Sequence, residues 1–297
     1  NEKKNEVYMK VIVTCAKGLL GSCLSDKLEE SGISVIRADL PEYNIISYPS
    51  VSKLFTADEK IDFLINCAAY TDVPKAEEDK QSAYFLNAQS CGVLSKICLE
   101  NNVHLIHFST DFVFDGKKDT PYEESDNTNP LNYYGESKLA GENIIQRNPV
   151  KSSIFRLQWL FGKSQKTFFS KILEKSKTDS TLKIVQDEVG SPCSVTFVSN
   201  TILKVITSKD LSLFNKKIYH LTHNNYCSRY ECARYFLESI NWGGSLVPAL
   251  TSDFPSNVLR PKFGALSNQR LSSDLGIDLG TWESDIDSFL AEIKNVK

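Results

Sequence analysis

Tyr134 and Lys138 stand four positions apart in the stretch NYYGESK. That spacing puts both side chains on one face of a helix. A phenol ordinarily titrates near pH ~10, too high to exchange protons easily at neutral pH, and a neighbouring ammonium lowers that value by favouring the phenolate. The pair suits a general acid that protonates a carbonyl oxygen, worth roughly 10²–10⁴ in rate. Tyrosine and lysine also meet at this spacing by chance on exposed helices, so the pair needs a setting. HFSTDFVFDG (107–116) supplies one. Its Ser109, Thr110 and Asp111 fall at the carboxyl end of an expected strand, where open α/β sheets hold their ligands. A hydroxyl there can hydrogen-bond the carbonyl oxygen that the tyrosine protonates. The plainer reading of these three residues is an ordinary strand-end turn.

A third candidate is VTCAKGLLG (13–21), which follows a short apolar strand and opens a helix. Thr14, Gly18 and Gly21 keep part of a nucleotide-binding turn, in which glycines make the tight turn, admit the pyrophosphate and let helix pack on strand. The helix N-terminus would offer free N–H groups and the positive end of its dipole to phosphate. Cys15 occupies the place of the first glycine. The expectation is that the turn keeps a φ that a side chain tolerates, so that Cys15 weakens cofactor binding without abolishing it.

The elements that must position these residues follow from hydrophobic periodicity. KVIVT (10–14), ISVIRADL (33–40), IDFLINCAA (61–69), VHLIHFS (103–109) and SSIFRLQWLFG (152–162) read as strands. Leu19, Leu20, Cys23, Leu24 and Leu28 recur at helical spacing until Gly32, SVSKLFTADEK reads as a short helix, and residues 81–102 read as one long amphipathic helix. A further helix runs from about 132 to 147. Strands alternating with helices predict a doubly wound parallel sheet, an α/β fold with a smaller C-terminal α/β lobe. The expected division is a tail over 1–8, before the single methionine Met9, a nucleotide-binding domain over 9–155, and a mainly substrate-binding lobe over 156–297 with segments returning to the first domain.

The whole chain narrows the classes. Its 297 residues, 41% hydrophobic and 24% charged, describe a globular protein, and a formal net charge of −3 gives no reason to expect nucleic acid or an anionic membrane as partner. No C-x-x-C pair occurs among the eight cysteines, so free thiols in a reducing cytoplasm are expected, with no metal site. His104 and His107, at i, i+3 in a strand, should point to opposite faces. With His220 and His223 they read as structural or solvent-facing. No signal peptide or membrane span is apparent.

Taken in order, NCAAYTDVPKAEED (66–79), STDFVFDG (109–116), NPLNYYGESKLAGE (129–142), RLQWLFG (156–162), VQDEVGSP (185–192) and RPKFGALS (260–267) resemble the extended short-chain dehydrogenase/reductase family, and within it the dTDP-4-dehydrorhamnose reductase branch. The resemblance implies hydride transfer from NADPH or NADH to C4 of a nucleotide-linked 4-keto-6-deoxysugar. It implies Tyr134 as general acid, Lys138 as its activator and ribose ligand, and Thr110 as the third member of the triad. The cofactor would lie on Thr14, Lys17, Gly18, Leu19, Leu20, Ala68, Ala69, Tyr70 and Asn87. Asp39 would accept from the adenine-side ribose, with Arg37 and Lys17 as cations that could offset its repulsion of a 2′-phosphate. Thr71, Val73, Asp111, Phe112 and Trp159 would line the sugar, and Arg260 would hold the diphosphate. A homodimer is compatible with this resemblance. The chain departs from the branch at Cys15, at Phe112 in place of tyrosine, at Leu157 and Gln158, and in GKSQKTFF, which lacks the usual paired asparagines. Two other readings stay open: a non-catalytic relative such as the methionine adenosyltransferase β subunit, and an epimerase or dehydratase that returns its hydride.

Overall fold

A computed structural model describes residues 9–56, 60–163 and 167–294; the expected tail over 1–8 lies outside them. In chain order the elements are β1 (Lys10–Thr14), α1 (Leu19–Glu30), β2 (Ser34–Ala38), α2 (Tyr48–Ser52), β3 (Phe63–Asn66), α3 (Val73–Glu78), α4 (Lys80–Tyr84), α5 (Ser90–Glu100), β4 (His104–Thr110), α6 (Tyr133–Arg147) and β5 (Ser152–Leu157). There follow β6 (Leu160–Phe161), α7 (Phe168–Lys175), β7 (Thr181–Val185), β8 (Val189–Gly190), β9 (Cys193–Ser194), α8 (Val195–Ile206), β10 (Lys217–His220), β11 (Cys227–Ser228), α9 (Arg229–Ser239), β12 (Ser245–Ala249), α10 (Gln269–Leu275) and α11 (Trp282–Lys294).

Six strands form one parallel sheet in the order β2-β1-β3-β4-β5-β10. Its central strands are apolar on both faces, as a sheet covered by helices on both sides requires. Val11, Ile12 and Val13 of β1 and Leu64 and Ile65 of β3 are fully buried. On one face Leu24 and Leu28 of α1 pack with Val198 and Ile202 of α8. On the other, Val51 of α2, Leu94 of α5 and Ile145 of α6 cover Ile12 and Leu64. A third cluster, with Phe161, Phe169, Phe236, Trp282 and Phe289 among its members, packs segments of the C-terminal half together.

Two expected elements are interrupted, both beside the carboxyl end of the sheet. The long helix over 81–102 is α4 and α5 joined by a π-helical turn, Phe85–Gln89, a distortion that is frequent at functional sites. The strand over 152–162 stops at Leu157. Trp159 takes φ 38, which turns the chain out of the sheet so that β6 pairs with β9 instead. Periodicity reports burial, and both breaks keep burial intact, which is why neither was visible.

β5 and α6 are joined by a buried ion pair. Arg156 Nε and Nη2 donate to the two carboxylate oxygens of Glu142 at 2.9 and 2.7 Å, with the side chains 3% and 2% exposed. Arg156 also donates to His220 Nε2 at 3.3 Å, whose Nδ1 donates to the carbonyl of Tyr122 at 3.0 Å. Removing one partner of such a pair leaves an uncompensated buried charge. Glu142→Ala is expected to cost about 3–5 kcal/mol, read as a lowered urea midpoint at unchanged slope; a loss under about 1 kcal/mol would contradict this assignment.

Candidate functional site

The parallel strands deliver their last residues to one edge: Thr14 from β1, Asp39 after β2, Cys67–Tyr70 after β3, Thr110 from β4, and Trp159 beyond β5. At the first of these the expectation that Cys15 takes a φ comfortable for a side chain fails. Its φ is 51, in the left-handed region that glycine favours and that costs another residue roughly 1–2 kcal/mol. The turn has kept its shape and Cys15 carries the strain. There is no slack nearby, since a Cβ on Gly21 would stand 2.1 Å from the carbonyl oxygen of Cys15. The N-terminus of α1 has no side-chain cap at Gly18 and no acidic residue in its first turn. No side-chain cap or first-turn carboxylate therefore takes up the positive end of its dipole, the kind of helix start that receives an anion. Thr14 lies beneath this turn, fully buried, its hydroxyl donating to Asn66 Oδ1 at 2.7 Å. Leu20 is buried in the core, Leu19 packs partly against it, and Lys17 is exposed.

Asp39 Oδ2 accepts from the backbone N–H of Lys17 at 2.7 Å, and Oδ1 accepts from that of Leu40 at 2.8 Å. These bonds hold the carboxylate at the turn. Arg37, expected as an offsetting cation, is tied instead to Asp26 and Glu29 at 2.6 and 2.7 Å. Ala68 is buried, whereas Ala69 and Tyr70 are partly exposed along the edge. Asn87, on the π turn, works from behind. Its Oδ1 accepts from the Tyr70 N–H at 2.8 Å, and its amide donates to the Tyr70 carbonyl at 3.1 Å and to Ser137 Oγ at 2.9 Å.

Thr110, Tyr134 and Lys138 are brought together by the start of α6. Asn132 caps that helix, accepting from the Gly135 N–H at 2.9 Å, and a Cβ on Gly135 would stand 2.2 Å from the Phe112 carbonyl oxygen. Thr110 Oγ1 donates to Asp111 Oδ1 at 3.0 Å and faces the Tyr134 hydroxyl. Phe112 meets the Tyr134 ring edge-on at 5.5 Å. Lys138 is 2% exposed and donates to the Phe108 carbonyl at 2.6 Å. The expected lowering of the phenol by this ammonium does not occur here. Burial pushes Tyr134 up to about 12, with the Thr110 hydroxyl pulling down and the Asp111 carboxylate adding to the rise. Burial likewise pushes Lys138 down to about 8, against the pull of Cys91 and Glu142.

On the substrate side Asp111 is buried, and burial raises its carboxyl to about 6 despite hydrogen bonds from Gln158 and Thr110 and the attraction of Arg229. Gln158 joins it to the loop around Gly264, donating to Asp111 Oδ2 at 3.4 Å and to the Gly264 carbonyl. Trp159 is clamped: the Arg229 guanidinium lies 3.7 Å from its ring centroid, and a Cβ on Gly190 would stand 2.8 Å from its ring atoms. Arg229 is in turn 3.6 Å from Glu188. Val73 is buried, Thr71 is exposed, and Arg260 is partly exposed and near enough to repel Arg229. Gln158, Arg229 and Gly264 were not singled out in sequence for these contacts. Only Arg229, just after the capping Ser228, lay outside every quoted motif.

None of the four histidines faces solvent, contrary to that half of the expectation; all are buried. His104 bonds Ser153 at 2.8 Å, His223 lies 3.0 Å from Asp285, and His107 meets Asn66 and Lys138. Among the described residues no group of three or more His, Cys, Asp or Glu is placed to hold a metal ion, and no helix is long and apolar enough to cross a membrane.

The family profile described as "RmlD substrate binding domain" matches residues 9–295. A dTDP-4-dehydrorhamnose reductase of Mycolicibacterium smegmatis is 31% identical over 96% of this chain and 86% of its own length. The crystal structure of such a reductase from Clostridium acetobutylicum, 31% identical, superposes with a TM-score of 0.89 over 96% of this chain and all of that one. That of Bacillus anthracis, in complex with NADP, is 29% identical with a TM-score of 0.90 over 96% of this chain and 99% of its own. The chain belongs to the RmlD substrate binding domain family, within the extended short-chain dehydrogenases/reductases.

Gly21→Ala would drive a methyl group into the Cys15 backbone, so the turn must open. The expected result is at least a tenfold weaker dissociation constant for NADPH or NADH, measured by fluorescence titration of folded protein; an unchanged constant would show that the turn does not hold the cofactor.

Proposed function

We propose that this member of the family reduces the C4 carbonyl of a dTDP-linked 4-keto-6-deoxysugar, converting dTDP-4-dehydrorhamnose to dTDP-L-rhamnose with NADPH or NADH. The observation that carries this reading is the meeting of Thr110, Tyr134 and Lys138 at the strand edge that also carries the uncapped α1 turn. Residues 9–155 would take the cofactor and residues 156–297 mainly the sugar nucleotide. The glycine turn suits a dinucleotide, since Gly18 and Gly21 let α1 close tightly on Cys15, where a Cβ on either would clash, and this compact strand–turn–helix brings the α1 N-terminus to the sheet edge. The free N–H groups of α1 would bind the pyrophosphate, and Asp39 would accept from the adenine-side ribose. When bound, the reduced nicotinamide supplies a hydride to the carbonyl carbon.

The chain's own residues do the rest. Tyr134 donates its phenolic proton to the sugar oxygen, which gains charge as the carbonyl is reduced. A phenol held near 12 keeps that proton until a developing alkoxide calls for it. Thr110 orients the phenol and offers a second polar contact to the same oxygen. Lys138, from one turn further along α6, steadies the phenolate that remains and would reach the nicotinamide ribose. Trp159, locked between Arg229 and Gly190, gives the sugar a fixed wall, while Thr71, Val73, Asp111 and Phe112 line the remainder. Arg260, with Arg229 beside it, would meet the diphosphate.

The retained triad favours turnover over a purely regulatory subunit. The eight cysteines are free thiols, which suits the reducing cytoplasm. Tyr134→Phe removes the donated proton and keeps the ring packing on Phe112. It is expected to lower kcat by about 10²–10⁴-fold in a coupled absorbance assay with the 4-keto sugar nucleotide, with cofactor affinity kept. A variant as active as the parent would overturn the mechanism.

A further inference from the structure

A buried line of side chains joins the cofactor turn to Lys138, and its donors and acceptors can be assigned one by one. Thr14, Asn66 and His107 are register neighbours across β1, β3 and β4. Asn66 Oδ1 accepts from Thr14 Oγ1 at 2.7 Å and from the backbone N–H of Ala68 at 3.2 Å. A backbone N–H can only donate, which fixes the orientation of the Asn66 amide. Its Nδ2 therefore points at His107 Nδ1, 3.1 Å away. An amide NH₂ also only donates, so Nδ1 must hold a lone pair, and the neutral ring carries its hydrogen on Nε2. That nitrogen lies 3.4 Å from Lys138 Nζ. An N–H facing an ammonium sets donor against donor. The contact is a hydrogen bond only when Nζ itself offers a lone pair, as an amine does while still donating to the Phe108 carbonyl.

We infer that Asn66 locks His107 in its Nε2–H tautomer, and that His107 thereby favours the neutral amine over the ammonium at Lys138 in the cofactor-free protein. His107 is then a positioning residue: it never meets substrate, yet it biases the charge of the group that does. The surroundings agree. Burial, with Lys138 nearby, keeps His107 well below the usual imidazole range and so uncharged. Cys91, on α5, lies 3.9 Å from both ring nitrogens, but its thiol donates to the Asn87 carbonyl at 3.3 Å. Glu142, one turn along α6 from Lys138, favours the ammonium but is paired to Arg156. Burial outweighs both groups, since Lys138 is lowered overall. With Lys138 brought down to about 8, the ammonium that steadies the Tyr134 phenolate is lost as pH rises past that value, and activity should fall with it. This consequence rests on the proposed role of Lys138, whereas the tautomer does not.

The test has two arms on the full chain. The first is nitrogen-15 NMR of the histidine rings between about pH 6 and pH 9, which distinguishes the tautomers in the parent protein without any assay. His107 is expected neutral throughout, protonated on Nε2; a ring protonated on Nδ1, or charged, overturns the inference. The second is His107→Gln, whose amide oxygen can reach the Nε2 position and accept from an ammonium. The alkaline limb of kcat/KM should move up by about one pH unit, about tenfold more activity on that limb. A uniform loss at every pH with the limb unmoved would mean that His107 only fills space, and the inference fails. A parent protein without reductase activity would sink the proposed function alone, leaving the NMR arm to decide the tautomer.

Discussion

The hydrogen bond from Lys138 to the Phe108 carbonyl ties α6 to β4, and the rest of the candidate site is arranged around it. A lysine 2% exposed is costly unless its hydrogens are used, and here the strand end, His107 and the start of α6 surround the amine. For Lys138 to reach Phe108, α6 must approach the sheet edge at less than side-chain distance. Two glycines permit that. A Cβ on Gly135 would strike the Phe112 carbonyl, and one on Gly141 would stand 2.2 Å from the Asn87 carbonyl oxygen. The approach to Asn87 matters twice, since the same residue braces Tyr70 and Ser137. The π turn that carries Asn87 is thus shared between the segment after β3 and α6.

The site also uses strain in two places. Cys15 and Trp159 both take positive φ, the first in the turn between β1 and α1 and the second just beyond β5. Neither is glycine, so each conformation is imposed by its surroundings. Cys15 is pressed between its own strand and the Gly18–Gly21 turn. Trp159 is held by Arg229 over its ring and by the close approach of Gly190. Rigid placement of these two segments fits the proposed reaction, whose main demand is alignment of a hydride, a carbonyl carbon and a proton.

Much of this was legible in the sequence. The alternation of strands and helices gave the parallel sheet, because burial on both faces leaves continuous apolar runs. Tyr134, Lys138 and Thr110 were readable because helix period and strand ends are local properties. Electrostatics were not readable. The expectation that Lys138 lowers the phenol assumed that two charges dominate, whereas removal from water dominates both groups. Arg37 was read as a free cation because its partners Asp26 and Glu29 come from the neighbouring helix. Arg229, Gln158 and Gly264 act through contacts far apart in the chain, so the motifs that hold Gln158 and Gly264 did not show what they touch, and Arg229 lay in no motif. His107 was set aside among structural histidines, since its significance lies in which ring nitrogen Asn66 addresses.

The central claim is that hydride passes from the cofactor to C4 of the sugar and stays there. The most direct measurement uses cofactor deuterated at the transferred position of its nicotinamide, with dTDP-4-dehydrorhamnose as substrate. The account predicts one oxidised cofactor per sugar converted, with the deuterium at C4 of the product. Conversion without net cofactor oxidation, or deuterium at any other carbon, would contradict it.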